Sequence, residues 1–371
     1  MSTMKNNIAY KFYLRPNCSQ KVLIAKTFGC ARLVYNLILQ DSNDYYKLNG
    51  KSKRFSPAMY KEKYDFLKEV DSLALANAQL NVETAIKNYI KGKGKVGKPK
   101  FKSKKHPKRS YTTNSVNGNI DIDDNKIKLP KLGWVKIKVH REIPENYTIK
   151  SVTISRDPDE RYYASILFEC DDAYEELSDI TTHIGLDYAS NGLYIDSEGN
   201  FANMPHFYRN GLKRLKVKQR KLSRKNKDSN NYRKAKLAVA KYMKHIANQR
   251  KDFLHKESYR LCKLYSLISV EDLKMEQIAK LLHLAKATYG NAYFMFCCMM
   301  EYKQRRLGHR FAKVDKRFPS SQLCHNCGYK NPITKDLSVR KVKCPNCGIE
   351  YNRDINAAIN IDKEGLRIAS M

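Results

Sequence analysis

Between Asn7 and Leu14 apolar and polar residues alternate, with Ile8, Tyr10 and Phe12 on one side, until Pro16 ends the run. A period of two predicts a strand with one buried face. Two helical stretches follow, Cys30 to Leu39 and Leu73 to Ile90, neither interrupted by Pro or Gly. From Ser115 to Cys170 the period returns to two: Val135, Ile137 and Val139 alternate, as do Tyr162, Ala164, Ile166 and Phe168. Turn signals separate these runs at Asn117-Gly118, Pro144-Glu-Asn146 and Arg156-Asp-Pro-Asp159. Successive short strands predict a small β-barrel. The strand near Tyr10 joins it, so residues 17–105 form a helical insertion.

A different pattern begins at Ile184. The runs Ile184-Gly-Leu-Asp-Tyr-Ala and Gly192-Leu-Tyr-Ile read as strands, and Asp196-Ser-Glu-Gly199 as a turn closing a hairpin. Arg209 to Lys251 reads as a helical hairpin broken at Asn226 to Asn231. In its second arm Ala235, Ala238, Tyr242, Ile246, Gln249 and Phe253 recur at helical spacing, predicting an apolar seam with a basic outer face. Leu267-Ile-Ser-Val-Glu271 is a further strand that ends in an acid, and an Ala-containing helix begins near Asp354, with Asn352 as its cap.

Charge changes the picture. The 371 residues carry 71 Lys+Arg against 37 Asp+Glu, a net +34. Such self-repulsion is relieved by a polyanion, and nucleic acid is the expected partner because each neutralised phosphate releases counterions. Basic residues are concentrated in two places. Lys91 to Arg109 has ten Lys or Arg and no acid, and Arg209 to Lys251 has 17 with one acid, Asp228. No apolar run approaches 18 residues, and no signal peptide or lipidation motif is found, so no membrane partner is expected. The ten cysteines lack disulfide spacing, and the expected compartment is the prokaryotic cytoplasm, beside the nucleoid. Cys297 and Cys298 read as core residues.

Two features carry chemistry. Cys324-x-x-Cys327 and Cys344-x-x-Cys347 stand 16 residues apart, each pair followed by a glycine, Gly328 or Gly348. Four thiolates suit tetrahedral zinc in a closed, structural site. The second feature is three acids, Asp187 and Glu271 on or at the end of apolar strands and Asp354 at a helix start. Buried carboxylates are costly unless paired or ligated, and such a set can hold two divalent ions for phosphodiester hydrolysis. Asp272 points to the other face of its strand, which favours Glu271 as the ligand. The order strand-Asp, basic helices, strand-Glu, helix-Asp matches an RNase H-like sheet.

At these residues the chain resembles the TnpB family of transposon-encoded RNA-guided nucleases, smaller relatives of type V CRISPR effectors. Gly185-Leu-Asp187, Val270-Glu-Asp-Leu273 and Asn352-Arg-Asp-Ile-Asn-Ala-Ala358 look like its three RuvC motifs. Pro319-Ser-Ser321 leading into Cys324 looks like its zinc insertion, and Glu301-Tyr-Lys303 and Lys363-Glu-Gly-Leu-Arg367 also fit. Phe28-Gly-Cys-Ala-Arg32 with Tyr35-Asn36, Gly97 to Lys102, and Gly133-Trp-Val135 resemble its helical opening, basic loop and barrel. Two departures stand out, at Tyr188-Ala-Ser-Asn191 and Lys274-Met-Glu276.

The resemblance implies an α/β fold plus β-barrel: a wedge-type barrel (1–16 and 106–180) interrupted by a helical recognition lobe with a basic loop (17–105). A RuvC-like nuclease domain (181–317 and 349–371) with an inserted zinc ribbon (318–348) follows. It implies RNA-guided DNA cleavage, with a guide RNA from the transposon end and double-stranded target DNA carrying a short adjacent motif. Asp187 would bridge two Mg2+ ions, or Mn2+ in their place, with Glu271 and Asp354 holding one each, and Zn2+ would be structural. Lys98, Lys100, Lys102, Arg214, Lys218, Arg220, Lys221 and Arg224 are expected on nucleic acid, and Asn77 and Gln79 at the adjacent motif. One chain per guide is expected. Two alternatives stay open: a guided DNA-binding repressor that does not cut, and a guide-independent RuvC-like nuclease.

Overall fold

The structure, a computed structural model, describes residues 6–92, 94–105, 109–170, 177, 179–275, 292–336 and 338–371. Residues 276–291, and with them Glu276 of the departure at Lys274-Met-Glu276, lie outside the described residues. The chain divides into two compact units, Met1–Ala173 and Tyr174–Met371.

The first unit is built on an antiparallel sheet of seven strands. These are β1 (Asn6–Arg15), β2 (Arg109–Asn114), β3 (Asp121–Asp123), β4 (Lys126–Leu129), β5 (Gly133–Lys138), β6 (Thr148–Arg156) and β7 (Tyr162–Cys170). Their order is β2-β6-β7-β1-β5-β4-β3. The strand near Tyr10 therefore sits in mid-sheet, paired with β7 from Asn6↔Cys170 to Leu14↔Tyr162. The alternation does its expected work: Ile8, Phe12, Leu14, Val135, Ile137, Val152, Ile154, Ala164, Ile166 and Phe168 are all buried. Among the described residues the seven strands are hydrogen-bonded in one row with β2 and β3 at its ends.

Between β1 and β2 the chain leaves the sheet for helices α1 (Cys18–Asn49), α2 (Ala58–Lys61) and α3 (Ser72–Lys91). α1 is three times as long as its interior apolar stretch suggested. It starts at a capping box, in which Asn17 accepts from the Gln20 N–H and Gln20 reaches back to the Asn17 N–H, and it stops at left-handed Gly50. By length and composition α1 could cross a membrane, contrary to the expectation from the sequence, yet half of its apolar window is buried in the fold. Ile24, Phe28, Val34, Tyr35, Ile38 and Leu39 form that buried stripe.

The second unit holds a four-stranded sheet of β8 (His183–Tyr188), β9 (Tyr194–Asp196), β10 (Leu267–Glu271) and β11 (Arg310–Val314), ordered β11-β10-β8-β9. β8, β10 and β11 are mutually parallel and β9 is antiparallel to β8. Parallel neighbours need long crossovers. α4 (Phe207–Ser223) and α5 (Asn230–Leu264) supply the first, and α6 (Tyr293–Arg306) lies in the second. α7 (Arg353–Ala369) follows a small hairpin of β12 (Lys341–Lys343) and β13 (Glu350–Asn352). The predicted turn at Asp196 leads β9 to a bridge between Ile195 and Phe201.

Glycine brings α7 onto the sheet. A Cβ on Gly185 of β8 would overlap the Ala358 carbonyl and reach the Asp362 amide at 2.6 Å. One on Gly365 of α7 would run into Ser269 of β10. The helix hairpin closes in the same way at Gly211, where the Tyr242 hydroxyl donates to the Gly211 carbonyl at 3.3 Å and Ile246 is buried. Two positions of the predicted seam, Ala238 and Gln249, are exposed instead. Cys298 is likewise exposed rather than core, whereas Cys297 is half-buried against the cluster of Phe296, Met299 and Met300.

Candidate functional site

Asp187 lies near the C-terminal end of β8 and Glu271 at that of β10. The two strands are parallel neighbours, and the acids follow directly on the paired residues Leu186↔Val270. Adjacent strands stand about 5 Å apart, so the register sets the carboxyls side by side. Asp354 arrives from α7. Its N–H and that of Ile355 donate to the Asn352 side chain at 2.9 and 3.3 Å, which fixes the helix start and therefore the acid. Asn352 is the cap that the sequence suggests.

Asp187 feels the charge of both other acids. Burial pushes Asp187 up to about 7, and the negative charges of Glu271 and Asp354 push in the same direction. The Tyr188 N–H and the Arg353 guanidinium oppose them. Although Asp187 keeps some solvent contact, its carboxyl is crowded by protein atoms. Burial also lifts Glu271 to about 7. Asp272, beside it, is exposed. Asp354 has a partner the sequence did not suggest: Arg340 Nη1 donates to its Oδ1 at 2.6 Å and its Oδ2 at 2.7 Å. Arg340 is held in turn, since its carbonyl accepts the Arg353 N–H at 2.8 Å.

Beyond the acid, the rest of Asn352 to Asn360 joins α7 to the cysteine segment. Asn356 accepts from the His325 N–H at 2.8 Å and donates to the Leu323 carbonyl at 2.7 Å. Asn360 donates to the carbonyls of Ser320 and Leu323 at 2.8 and 2.7 Å. Ala357 and Ala358 are buried between them.

Cys324, Cys327, Cys344 and Cys347 have their sulfurs within 4.8 Å of one another, and among the described residues this is the group placed to hold a metal ion. The closest sulfurs are 3.6 and 3.7 Å apart, far beyond a disulfide bond. The two halves repeat each other. Gly328 (φ +72°) and Gly348 (φ +73°) donate to the carbonyls of Cys324 and Cys344, both at 2.9 Å. The Asn346 side chain and the Tyr329 N–H favour the Cys327 thiolate, bringing it to about 6. The Ile349 N–H and then the Asn326 side chain lower Cys347. Each Asn thus serves the opposite pair, a signal present in the sequence as Cys-x-Asn-Cys twice over. Burial pushes Cys324 up to about 11.

The basic candidates divide. Lys98, Lys100, Arg214, Arg220, Lys221 and Arg224 are exposed. Arg214 and Lys218 lie over the Tyr242 ring, at 5.5 and 5.7 Å. Lys102 holds the loop to α1: its ammonium sits 3.9 Å over the Tyr35 ring, and its backbone exchanges hydrogen bonds with Asn36. A cleft of about 470 Å3 in the first unit is lined by Phe28, Arg32, Asn77, Asn81, Tyr111 and Thr112, among others. Asn77 faces it. Gln79 is buried on another side of α3 and donates to Glu83 at 2.7 Å, so it offers nothing to a base edge. Helical phase separates the two residues: two positions along a helix turn the side chain by about 200°.

Family profiles described as "Probable transposase", "Cas12f1-like, TNB domain" and "Helix-turn-helix domain" match residues 158–282, 293–361 and 4–51. In this chain the last of these regions is β1 followed by the single helix α1. A Streptomyces pristinaespiralis protein named for RNA-guided DNA endonuclease activity is 33% identical, over 99% of this chain and 90% of its own length. An Escherichia coli K12 protein, InsQ, named for the same activity, is 27% identical over 96% of this chain and 92% of its own. In fold, the chain is similar to Cas12f1 from a complex with guide RNA and target DNA, with a TM-score of 0.60 at 11% identity, covering 96% of this chain and 98% of that one. The chain belongs to the TnpB family of transposon-encoded RNA-guided DNA endonucleases.

Proposed function

We propose that this chain is an RNA-guided DNA endonuclease whose hydrolytic centre is Asp187, Glu271 and Asp354. The observation that carries this reading is the pair of acids at adjacent parallel strand ends, both held near neutrality by burial and, at Asp187, by its neighbours' charge. Such a cluster gains most from divalent cations, and an all-oxygen donor set suits Mg2+ or Mn2+. When bound, the metal supplies Lewis-acid activation for phosphodiester hydrolysis. Asp187 has both other acids as charge neighbours, which supports a bridging role, with Glu271 and Asp354 as single ligands.

The parallel trio β11-β10-β8 with antiparallel β9 supports an RNase H-like, RuvC-type reading of residues 181–317 and 349–371. Within it the four-thiol cluster supports structural zinc in a ribbon at 318–348. The seven-stranded sheet supports a wedge domain at 1–16 and 106–180, and the helical excursion a recognition lobe at 17–105. One chain would carry one guide RNA in the cytoplasm. The exposed cations of α4 would contact phosphate backbone, and the cleft beside Asn77 would take the duplex next to the target.

The test is to express the chain with its flanking genomic DNA and sequence the RNA that copurifies. That complex is then challenged with a plasmid library carrying a matching target beside randomised flanks. One defined RNA and depletion of plasmids sharing a short flank are expected. Binding without cutting would instead mean a repressor, and no defined RNA a guide-independent nuclease.

A further inference from the structure

We propose that the outward face of the seven-stranded sheet is a stacking platform for an unpaired stretch of the guide RNA, with Tyr13 and Tyr163 as its aromatic floor. The inference rests on the reading of the chain as RNA-guided. Residues Phe12, Leu14, Ile137, Ala164 and Ile166 are buried, so the alternate positions of β1, β5 and β7 face away from that core. There Tyr13 stands opposite Tyr163 on one side and Lys138 on the other, Arg15 opposite Lys136, and Lys11 opposite Ser165. The two rings meet edge to face, with centroids 5.9 Å apart. They line an open hollow of about 380 Å3 with Arg15, Lys138 and Arg161, and among the described residues no acidic side chain lines it.

A cross-strand tyrosine pair can serve a sheet alone. What this one adds is a ring of cations around half-buried aromatic faces, the combination that holds single strands: rings take bases and cations take the phosphates between them. In the free chain Lys11 Nζ lies 4.3 Å over the Tyr163 ring and the Arg15 guanidinium 5.6 Å over that of Tyr13. A cation on an accessible ring is held more weakly than a stacked base, so an incoming base displaces it and frees the charge for a phosphate. The bases must be unpaired, because a helix hides their faces. The guide is the strand present in every complex, whereas displaced DNA exists only at a target.

The test is ultraviolet crosslinking of the full chain with its copurified RNA, alone and with matching target DNA, followed by mapping of peptides that bear RNA or DNA. Adducts at Tyr13 or Tyr163 are expected. Y13L/Y163L should lose them and release RNA about tenfold more readily, while Y13F/Y163F should retain it. Replacing Arg15 and Lys138 by Gln leaves the rings intact and should lower the salt dependence of RNA binding by up to about one unit of slope per lost phosphate contact. RNA that copurifies normally without such adducts, or adducts that carry the displaced DNA strand, would overturn the platform and leave the guided nuclease standing. Absence of any defined RNA would overturn both.

Discussion

At the scale of single residues, two carboxyls govern the behaviour of the metal-free protein. Asp187 and Glu271 rise from ordinary values of 3.8 and 4.5 to about 7 on folding. Between those limits the folded chain keeps protons that the unfolded chain has released, so stability falls as pH rises from about 4 to about 7 and then levels. Asp187→Asn should therefore stabilise the metal-free chain at pH 8, by about 2 kcal/mol, and hardly at pH 4. Denaturant unfolding at the two pH values, with and without Mg2+, checks this, and Mg2+ should favour the native residue. Arg340 adds a second prediction. Its removal strips Asp354 of its cation, so Arg340→Ala should bind Mn2+ more tightly in the absence of nucleic acid, measured by calorimetry. An unchanged affinity would mean that the ion pair does not compete with metal. The acids were legible because strand ends and helix starts announce themselves. Arg340 was not: it lies 14 residues before Asp354, and only the pairing of β12 with β13 brings it back.

Among elements, α7 bears the most weight. Its N-terminus presents an acid, its asparagines hold the cysteine segment, and its glycine sits on β10. Gly185→Ala pushes a methyl into the α7 backbone, which cannot yield like a side chain. A loss of about 3 kcal/mol is expected, seen as a lower unfolding midpoint. Asn360→Ala takes the side-chain donor from the Ser320 carbonyl and leaves the Leu323 carbonyl with Asn356 alone, and should cost about 1 kcal/mol. The helix and its cap were readable from Asn352 and the alanines. The tasks of Asn356 and Asn360 were not, because their partners are main-chain carbonyls some 30 to 40 residues away. α1 shows the reverse case. Its start at the Asn17 and Gln20 capping box lies upstream of the apolar stretch from Cys30 and beyond Gly29, a residue that helix propensity disfavours.

For the whole molecule, the net charge of +34 and the four-cysteine cluster set the expectations. Purified chain should carry about one zinc, released by thiol-modifying reagents, and Cys344→Ser should lose it. Metal analysis checks this, and a zinc-free chain with an intact fold would contradict it. Which residues face the core was legible where alternation was strict, as in β1 and β7. The order of the strands, with β2 and β3 at the ends of the row, was not, since periodicity says which face is buried and nothing about neighbours. The adjacent-motif residues were beyond the sequence for a related reason: Asn77 and Gln79 look alike until helical phase and packing put one in a cleft and the other in the core.

The most direct measurement is guided cleavage by three versions of the chain, native, Asp187→Asn and Glu271→Gln, each assembled with the same RNA and given matching DNA and Mg2+. Each substitution should lower the cutting rate by roughly a thousandfold while DNA binding persists. Cutting within a few fold of the native chain in either variant would place the chemistry elsewhere and contradict the account.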